Sequence, residues 1–223
     1  MKPTVLPLHD EARGRPLPTT VHVPEGGAGA PLIVFGHGFW GHPRKFGRLF
    51  ARWVDAGFLV AAPAFPHTND ENPPPYLIED VANQPADVSF VLDELLARGL
   101  GDPERVGVGG FSLGAETALA VGLHPRDADP RVRAVVAVAG GLFHPRFAAD
   151  VLRPLPLLLV PGAEDKKNDR LRGALRVYET AQEPKELVLI EGAGHGICQD
   201  DGRPHAARVA ELTTAFWGRH LRA

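Results

Sequence analysis

Six short apolar runs with no polar alternation, at residues 32–35, 58–62, 106–109, 132–139, 155–160 and 187–190, punctuate this chain. Runs of that length suit strands buried on both faces, the situation of a parallel sheet covered by helices. Between them, residues 46–56, 81–97, 113–123, 170–181 and 205–221 carry helical periodicity. Strand and helix therefore alternate, which predicts a mostly parallel, doubly wound α/β sheet with ligands bound beyond the carboxyl ends of the strands. Ahead of the first run, residues 4–8 and 18–23 flank the polar turn 10–15, a pattern that predicts an N-terminal antiparallel hairpin. The longest irregular stretches, 63–76 and 140–154, are too short for a second domain, so residues 1–223 read as one domain. Within the first, Pro73-Pro74-Pro75 reads as a stiff surface loop rather than a wall over a site.

Catalytic groups in such a sheet follow strands. Gly110-Phe111-Ser112-Leu113-Gly114 stands between a predicted strand and a predicted helix, the setting a G-x-S-x-G nucleophile elbow requires. The sharp turn brings strand and helix together two residues to either side of the serine, so only small residues fit at 110 and 114. The chain has two serines, Ser89 and Ser112, and 25 glycines, so chance produces such a motif in about one chain in forty of this composition. Ser89 lies inside a helical segment without flanking glycines and reads as structural. A dinucleotide fingerprint starting at Gly107-Val108-Gly109 is the competing reading. It fails because the motif falls in mid-chain and no acidic residue ends a strand about twenty residues on.

A developing oxyanion needs preorganised N–H donors. In an elbow architecture one comes from the residue after the nucleophile, Leu113, and the other from the loop after an earlier strand, here Gly36-His37-Gly38-Phe39-Trp40-Gly41, which points to the backbone of Phe39. Trp40 and Phe65 are the expected apolar walls of the substrate cleft. His37 reads as a hydrogen-bonding prop for this loop, because the order nucleophile, acid, base puts the base near the C-terminus. Of ten histidines only His195 directly follows a late buried run, within a tight glycine loop, and His67 and His144 are reserves. The carboxylate that orients the base is expected after the run 155–160, where Asp165 is favoured over Glu164 and Asp169, with Asp150 as the option one strand earlier. Cys198, three residues beyond His195, has no elbow and reads as a structural thiol.

These motifs in this order resemble the α/β-hydrolase superfamily over essentially the whole chain. More closely, Gly36-His37-Gly38-Phe39, Ala62-Pro63-Ala64-Phe65-Pro66, Asp80-Val81-Ala82 leading into Asp87-Val88-Ser89-Phe90-Val91, and the serine motif are similar to bacterial dienelactone-hydrolase-like and platelet-activating-factor-acetylhydrolase-like esterases. The resemblance implies an α/β-hydrolase fold, Ser112 as nucleophile, Asp165 as acid, His195 as base, and Phe39 and Leu113 as oxyanion donors, and the short interval between Ala139 and Leu155 leaves no room for the large cap that lipases of this fold carry there. Ser112 stands where true dienelactone hydrolases carry a cysteine, so lactone specificity does not follow.

The expected activity is hydrolysis of small acyl esters through an acyl-enzyme, without a cofactor. A thioesterase, an acyltransferase or a small amidase would use the same residues, and a catalytically silent binding protein would keep the scaffold alone. Composition removes other classes. A formal charge of −3 with scattered arginines leaves no basic surface for nucleic acid. One cysteine and no CxxC, HExxH or calcium-loop spacing give no disulfide framework or metal motif. Pro3, Pro7, His9 and Asp10 interrupt any apolar leader and no stretch has the length of a membrane span, so the expectation is a cytoplasmic protein.

Overall fold

The computed structural model describes residues 3–27, 29–149, 151–166, 169–200 and 204–222. Its strands are β1 (Thr4–Asp10), β2 (Arg15–His22), β3 (Pro31–Gly36), β4 (Leu59–Pro63), β5 (Asp102–Phe111), β6 (Val132–Val138), β7 (Leu157–Val160) and β8 (Lys185–Leu187). They form a single sheet in the order β1-β2-β4-β3-β5-β6-β7-β8. The hairpin β1-β2 is antiparallel and β2 joins β4 antiparallel, while every pair from β4 to β8 is parallel. This is the doubly wound architecture with an N-terminal hairpin that the apolar runs predict.

The helices are α1 (Gly47–Asp55), α2 (Gln84–Ala97), α3 (Leu113–Leu123), α4 (Arg170–Thr180) and α5 (Ala206–Leu221). Successive side chains of a strand point to opposite faces, and the central strands feed two cores accordingly. Leu32 and Val34 of β3 join α2, α3 and α4 on one face, whereas Ile33 and Phe35 join α1 and α5 on the other. The second core is aromatic: Trp53 and Trp217 meet edge to face at 6.0 Å, and Trp53 Nε1 donates to Thr213 Oγ1 at 3.0 Å.

This packing accounts for the glycines before the serine motif. A Cβ on Gly107 would come within 2.8 Å of both Leu221 and Trp217, and one on Gly109 within 3.3 Å of Trp217. These glycines make room for α5 and cradle no phosphate.

Two element boundaries differ from expectation. The helix expected over 81–97 is a short 3-10 turn, Ile78–Ala82, followed by α2, which starts afresh because Pro85 suits a first turn and no interior position. The last strand, expected over 187–190, is Lys185–Leu187, half-buried at the sheet edge. The chain beyond it still tracks β7, with Val188 N–H on Leu159 O and Ile190 N–H on Pro161 O, and it delivers the loop that carries His195. Among the described residues of 140–154 the only regular element is the turn Pro145–Phe147, so no cap covers the carboxyl end of the sheet there. Among the described residues no helix is long and apolar enough to cross a membrane.

The hairpin is fastened to the rest by charge. Arg15 gives Nε and Nη2 to Asp87, at 2.7 and 2.6 Å, and Nη1 and Nη2 to Asp80, at 2.9 and 2.8 Å. All three side chains are buried or nearly so, which places these bonds among the strong, charge-assisted kind.

Candidate active site

Ser112 sits between the end of β5 and the start of α3 with φ 57° and ψ −113°, a conformation that costs a non-glycine residue about 1–3 kcal/mol. Its N–H is held by Val138 O at 2.9 Å, and its carbonyl receives the N–H groups of Ala115 and Glu116 as the helix begins. The close approach this turn demands is direct: a Cβ on Gly110 would lie 2.0 Å from Gly114 O, and one on Gly114 would lie 2.1 Å from Gly36 O. No side chain fits at either position, so β5, α3 and the end of β3 meet backbone to backbone.

The C-terminal histidine and the acid arrive from neighbouring loops. His195 Nε2 lies 2.9 Å from Ser112 Oγ, and His195 Nδ1 lies 2.8 Å from Asp165 Oδ2. Asp165 and Ser112 are buried, and the His195 side chain is partly open to solvent. Two backbone bonds, Glu164 N–H to Ala193 O and Ala163 N–H to Ile190 O, clamp the acid loop to the histidine loop. A Cβ on Gly162 would come 2.4 Å from Ala193 O, so this junction also needs glycine. The Phe111 ring, 5.0 Å from the imidazole, backs it from the sheet side.

The rival residues lie elsewhere. Glu164 and Asp169 are exposed, and Asp150 is outside the described residues. The His144 ring caps the 3-10 turn through Arg146 N–H, and His67 is exposed. Cys198 is buried in the core between α1 and α5. Ser89 is in α2.

The loop after β3 shows how its peptide planes are set. His37 is buried, and its Nδ1 lies 2.8 Å from Gly38 O while the Phe65 N–H points at its Nε2 from 3.0 Å. A carbonyl only accepts and an N–H only donates, so the ring carries its proton on Nδ1 and is neutral. Burial pushes its pKa down to about 4, which agrees. The Gly38 carbonyl also receives Gly41 N–H at 3.0 Å. In a trans peptide C=O and N–H point in opposite directions, so pinning this carbonyl aims the Phe39 N–H the other way. The Trp40 N–H is spent on Thr68 O at 2.7 Å and is not a free donor. Leu113, the first residue of α3, has an N–H with no partner within its own helix. A Cβ on Gly38 would touch Ser112 Cβ at 3.1 Å, so this loop lies directly against the serine.

The expected cleft wall divides. Phe39 and Trp40 are exposed beside the serine, but Phe65 is fully buried in the main core, its ring 5.2 Å from that of His37. Phe65 supports the loop from beneath and lines no open cleft, a correction to the sequence reading. The segment after it is not loose either. Gly41 and Asn69 form a bridge, Asp70 pairs with Arg44 and Lys45, and Gln84 bonds both Thr68 and Thr117.

Glu116 escaped the sequence reading. It is the one charged residue of α3, whose eleven residues are all buried, and its Oε1 takes the N–H groups of Phe143 and His144 at 2.5 Å each. Burial raises its pKa, and the N–H bonds from His144 and Phe143, then the Arg170 guanidinium stacked 4.5 Å over the Phe143 ring, offset part of that rise. A lone acid four residues past the serine in an otherwise apolar helix was the available signal.

A serine on a strained strand-to-helix turn, in line with a histidine and a buried carboxylate at the carboxyl end of a parallel sheet, defines an α/β hydrolase. The dienelactone hydrolase family matches residues 17–221, and the chain belongs to that family, whose members act on ester bonds. Solved structures agree on the fold. Esterase 2 of Thermogutta terrifontis, phosphorylated by paraoxon, is 19% identical with a TM-score of 0.74 and covers 97% of this chain and 94% of its own. A ferulic acid esterase from Streptomyces cinnamoneus is 21% identical with a TM-score of 0.74, covering 99% of this chain and 88% of its own. The esterase domain of a Rhodothermus marinus protein is 19% identical with a TM-score of 0.73, covering 99% of this chain and 100% of its own. No curated protein matches the sequence significantly.

Proposed function

We propose that the protein is a serine-dependent carboxylesterase for small acyl esters, with Ser112 as nucleophile, His195 as general base and Asp165 as its orienting carboxylate. The unbroken line from Asp165 Oδ2 through His195 to Ser112 Oγ, 2.8 and 2.9 Å, carries the reading. Ser112 Oγ attacks the acyl carbon as its proton passes to His195 Nε2, and the Asp165 charge stabilises the imidazolium that forms. The carbonyl oxygen becomes an oxyanion held by the N–H groups of Phe39 and Leu113. The imidazolium then protonates the departing alkoxide. Water, deprotonated by the same nitrogen, releases the acid and restores Ser112.

The test is labelling with a fluorophosphonate probe and mapping the adduct, together with Ser112→Ala. The reading expects a single adduct on Ser112, and a folded variant that takes none. Activity of the variant should fall to a residue of about 10³ to 10⁴ over water. A folded wild-type chain without an adduct, or a variant with near-normal turnover, would falsify it.

A further inference from the structure

We infer that the oxyanion loop carries a specificity notch for an uncharged aromatic ring, formed by Trp40 and Tyr76, so that aryl-bearing esters are the preferred substrate class. The inference rests on the esterase reading and adds a binding preference to it. Trp40 is 61% exposed, yet its backbone is held at φ 55°, a left-handed conformation that favours glycine. Its own side chain gains no core burial in return. Residues kept in such conformations cluster at ligand clamps and active sites.

The Trp40 ring stands 6.5 Å from that of Tyr76 at an interplanar angle of 59°. At that separation the two rings form a tilted pair, and a third flat ring laid on the exposed Trp40 face would meet Tyr76 at the same inclination, a geometry aromatic groups prefer. Phe39, Leu77 and Ile78, exposed in the adjoining chain, extend the apolar surface. Trp40 belongs to the same loop as Gly38, two residues before it, whose backbone rests against Ser112.

The Trp40 side is firmly held. Trp40 is fixed through its N–H to Thr68 O and through its carbonyl to Lys45 Nζ, and Asp70 and Glu71 tie the segment before Tyr76 to Arg44 and Lys45. These pairs also spend the flanking cations, so the notch offers no charge to an anionic substrate or to acidic lipid. A neutral ring fits it best.

The experiment compares benzyl acetate with cyclohexylmethyl acetate, which share length and have leaving groups of similar basicity. The ratio of their kcat/KM values, corrected for their uncatalysed rates, should favour benzyl by about two- to tenfold. It should fall to near unity in Trp40→Leu and in Tyr76→Leu, and persist in Trp40→Phe. Binding is read separately from turnover. Trp53 and Trp217 are fully buried, so acrylamide-quenchable emission belongs to Trp40. Benzyl alcohol should protect that emission and cyclohexylmethanol should not. Protection without hydrolysis of either ester would leave the notch standing and sink the esterase reading. Equal hydrolysis of both esters without protection would sink the notch alone. Protection by neutral phosphatidylcholine vesicles, or by raising the protein concentration, in place of benzyl alcohol would overturn it in favour of a lipid surface or a second copy.

Discussion

His37→Leu separates a structural from a catalytic contribution of one buried ring. Leucine fills similar space but offers no polar atom, so Gly38 O keeps only its bond from Gly41 N–H and Phe65 N–H loses its acceptor inside the core. A stranded buried donor costs about 1–3 kcal/mol and the lost bond to Gly38 about 1 kcal/mol more. Stability at pH 8 should therefore fall by about 2–4 kcal/mol, or about 4–16 °C in Tm for a chain of this size. Turnover should fall as well, because the Gly38–Phe39 peptide is then held by one bond in place of two. An oxyanion donor acts on the transition state and not on the substrate, so kcat for p-nitrophenyl acetate should drop about 10²-fold with KM little changed.

The pH dependence gives the sharper test. In the unfolded chain His37 titrates near the ordinary 6.5, whereas in the fold burial pushes it down to about 4. Between those values the unfolded state binds the proton and the folded state does not, so stability falls as pH drops from about 6.5 to about 4. The full difference is about 3 kcal/mol. His37→Leu lacks this loss, and the gap between the two proteins in urea melts should narrow steadily across that window. Parallel stability curves from pH 8 to pH 4 would refute the neutral, doubly bonded ring. A destabilised variant with unchanged kcat would refute its hold on the oxyanion donor.

Asp165→Asn should cost about 10⁴ in kcat by favouring the wrong imidazole tautomer, while Glu164→Gln and Asp169→Asn stay within about twofold, as steady-state assays of the three purified variants will show. Arg15→Met should destabilise the fold by about 3–5 kcal/mol in denaturant melts, because Asp80 is left buried without its cation and Asp87 keeps only the half-buried Arg13. A loss below 1 kcal/mol would mean the carboxylates find water or protons instead. Along p-nitrophenyl esters from acetate to palmitate, kcat/KM should rise over the first few carbons, by up to about 0.8 kcal/mol per methylene, and then level off with no jump above the solubility limit. A maximum at palmitate would point to a mobile cover.

What the sequence made legible was what local pattern determines. The serine turn and α3 follow from short-range spacing and lie where spacing puts them, and the alternation of strands and helices follows from it too, with the last strand shifted to Lys185–Leu187. Phe65 was misjudged because an aromatic residue just after a strand reads the same whether it faces a cleft or the core. Only the closure of the 36–41 loop over it decides. Glu164 and Asp165 are adjacent in sequence, and the clamp of Glu164 N–H on Ala193 O distinguishes them, a contact across 29 positions. Gly107 and Gly109 mimic a nucleotide-binding motif until Trp217, more than a hundred residues away, is seen to occupy the space they leave.

Catalysis by preorganised donors requires that nucleophile and donors share one rigid body, and contacts distant in sequence supply that body here. Gly36 O against the Gly114 backbone joins β3 to α3, so the loop bearing Phe39 and the helix bearing Leu113 start from one contact. The Thr117–Gln84–Thr68 chain runs from that helix to the segment that holds Trp40 N–H. The two N–H groups proposed for the oxyanion are thereby tied together twice, once through backbone packing and once through buried polar bonds. A site built this way has its dipoles in place before substrate arrives, which is the condition under which hydrogen-bond donors lower a barrier most. Donors aimed in this way by the scaffold beneath them need no closing segment to complete them.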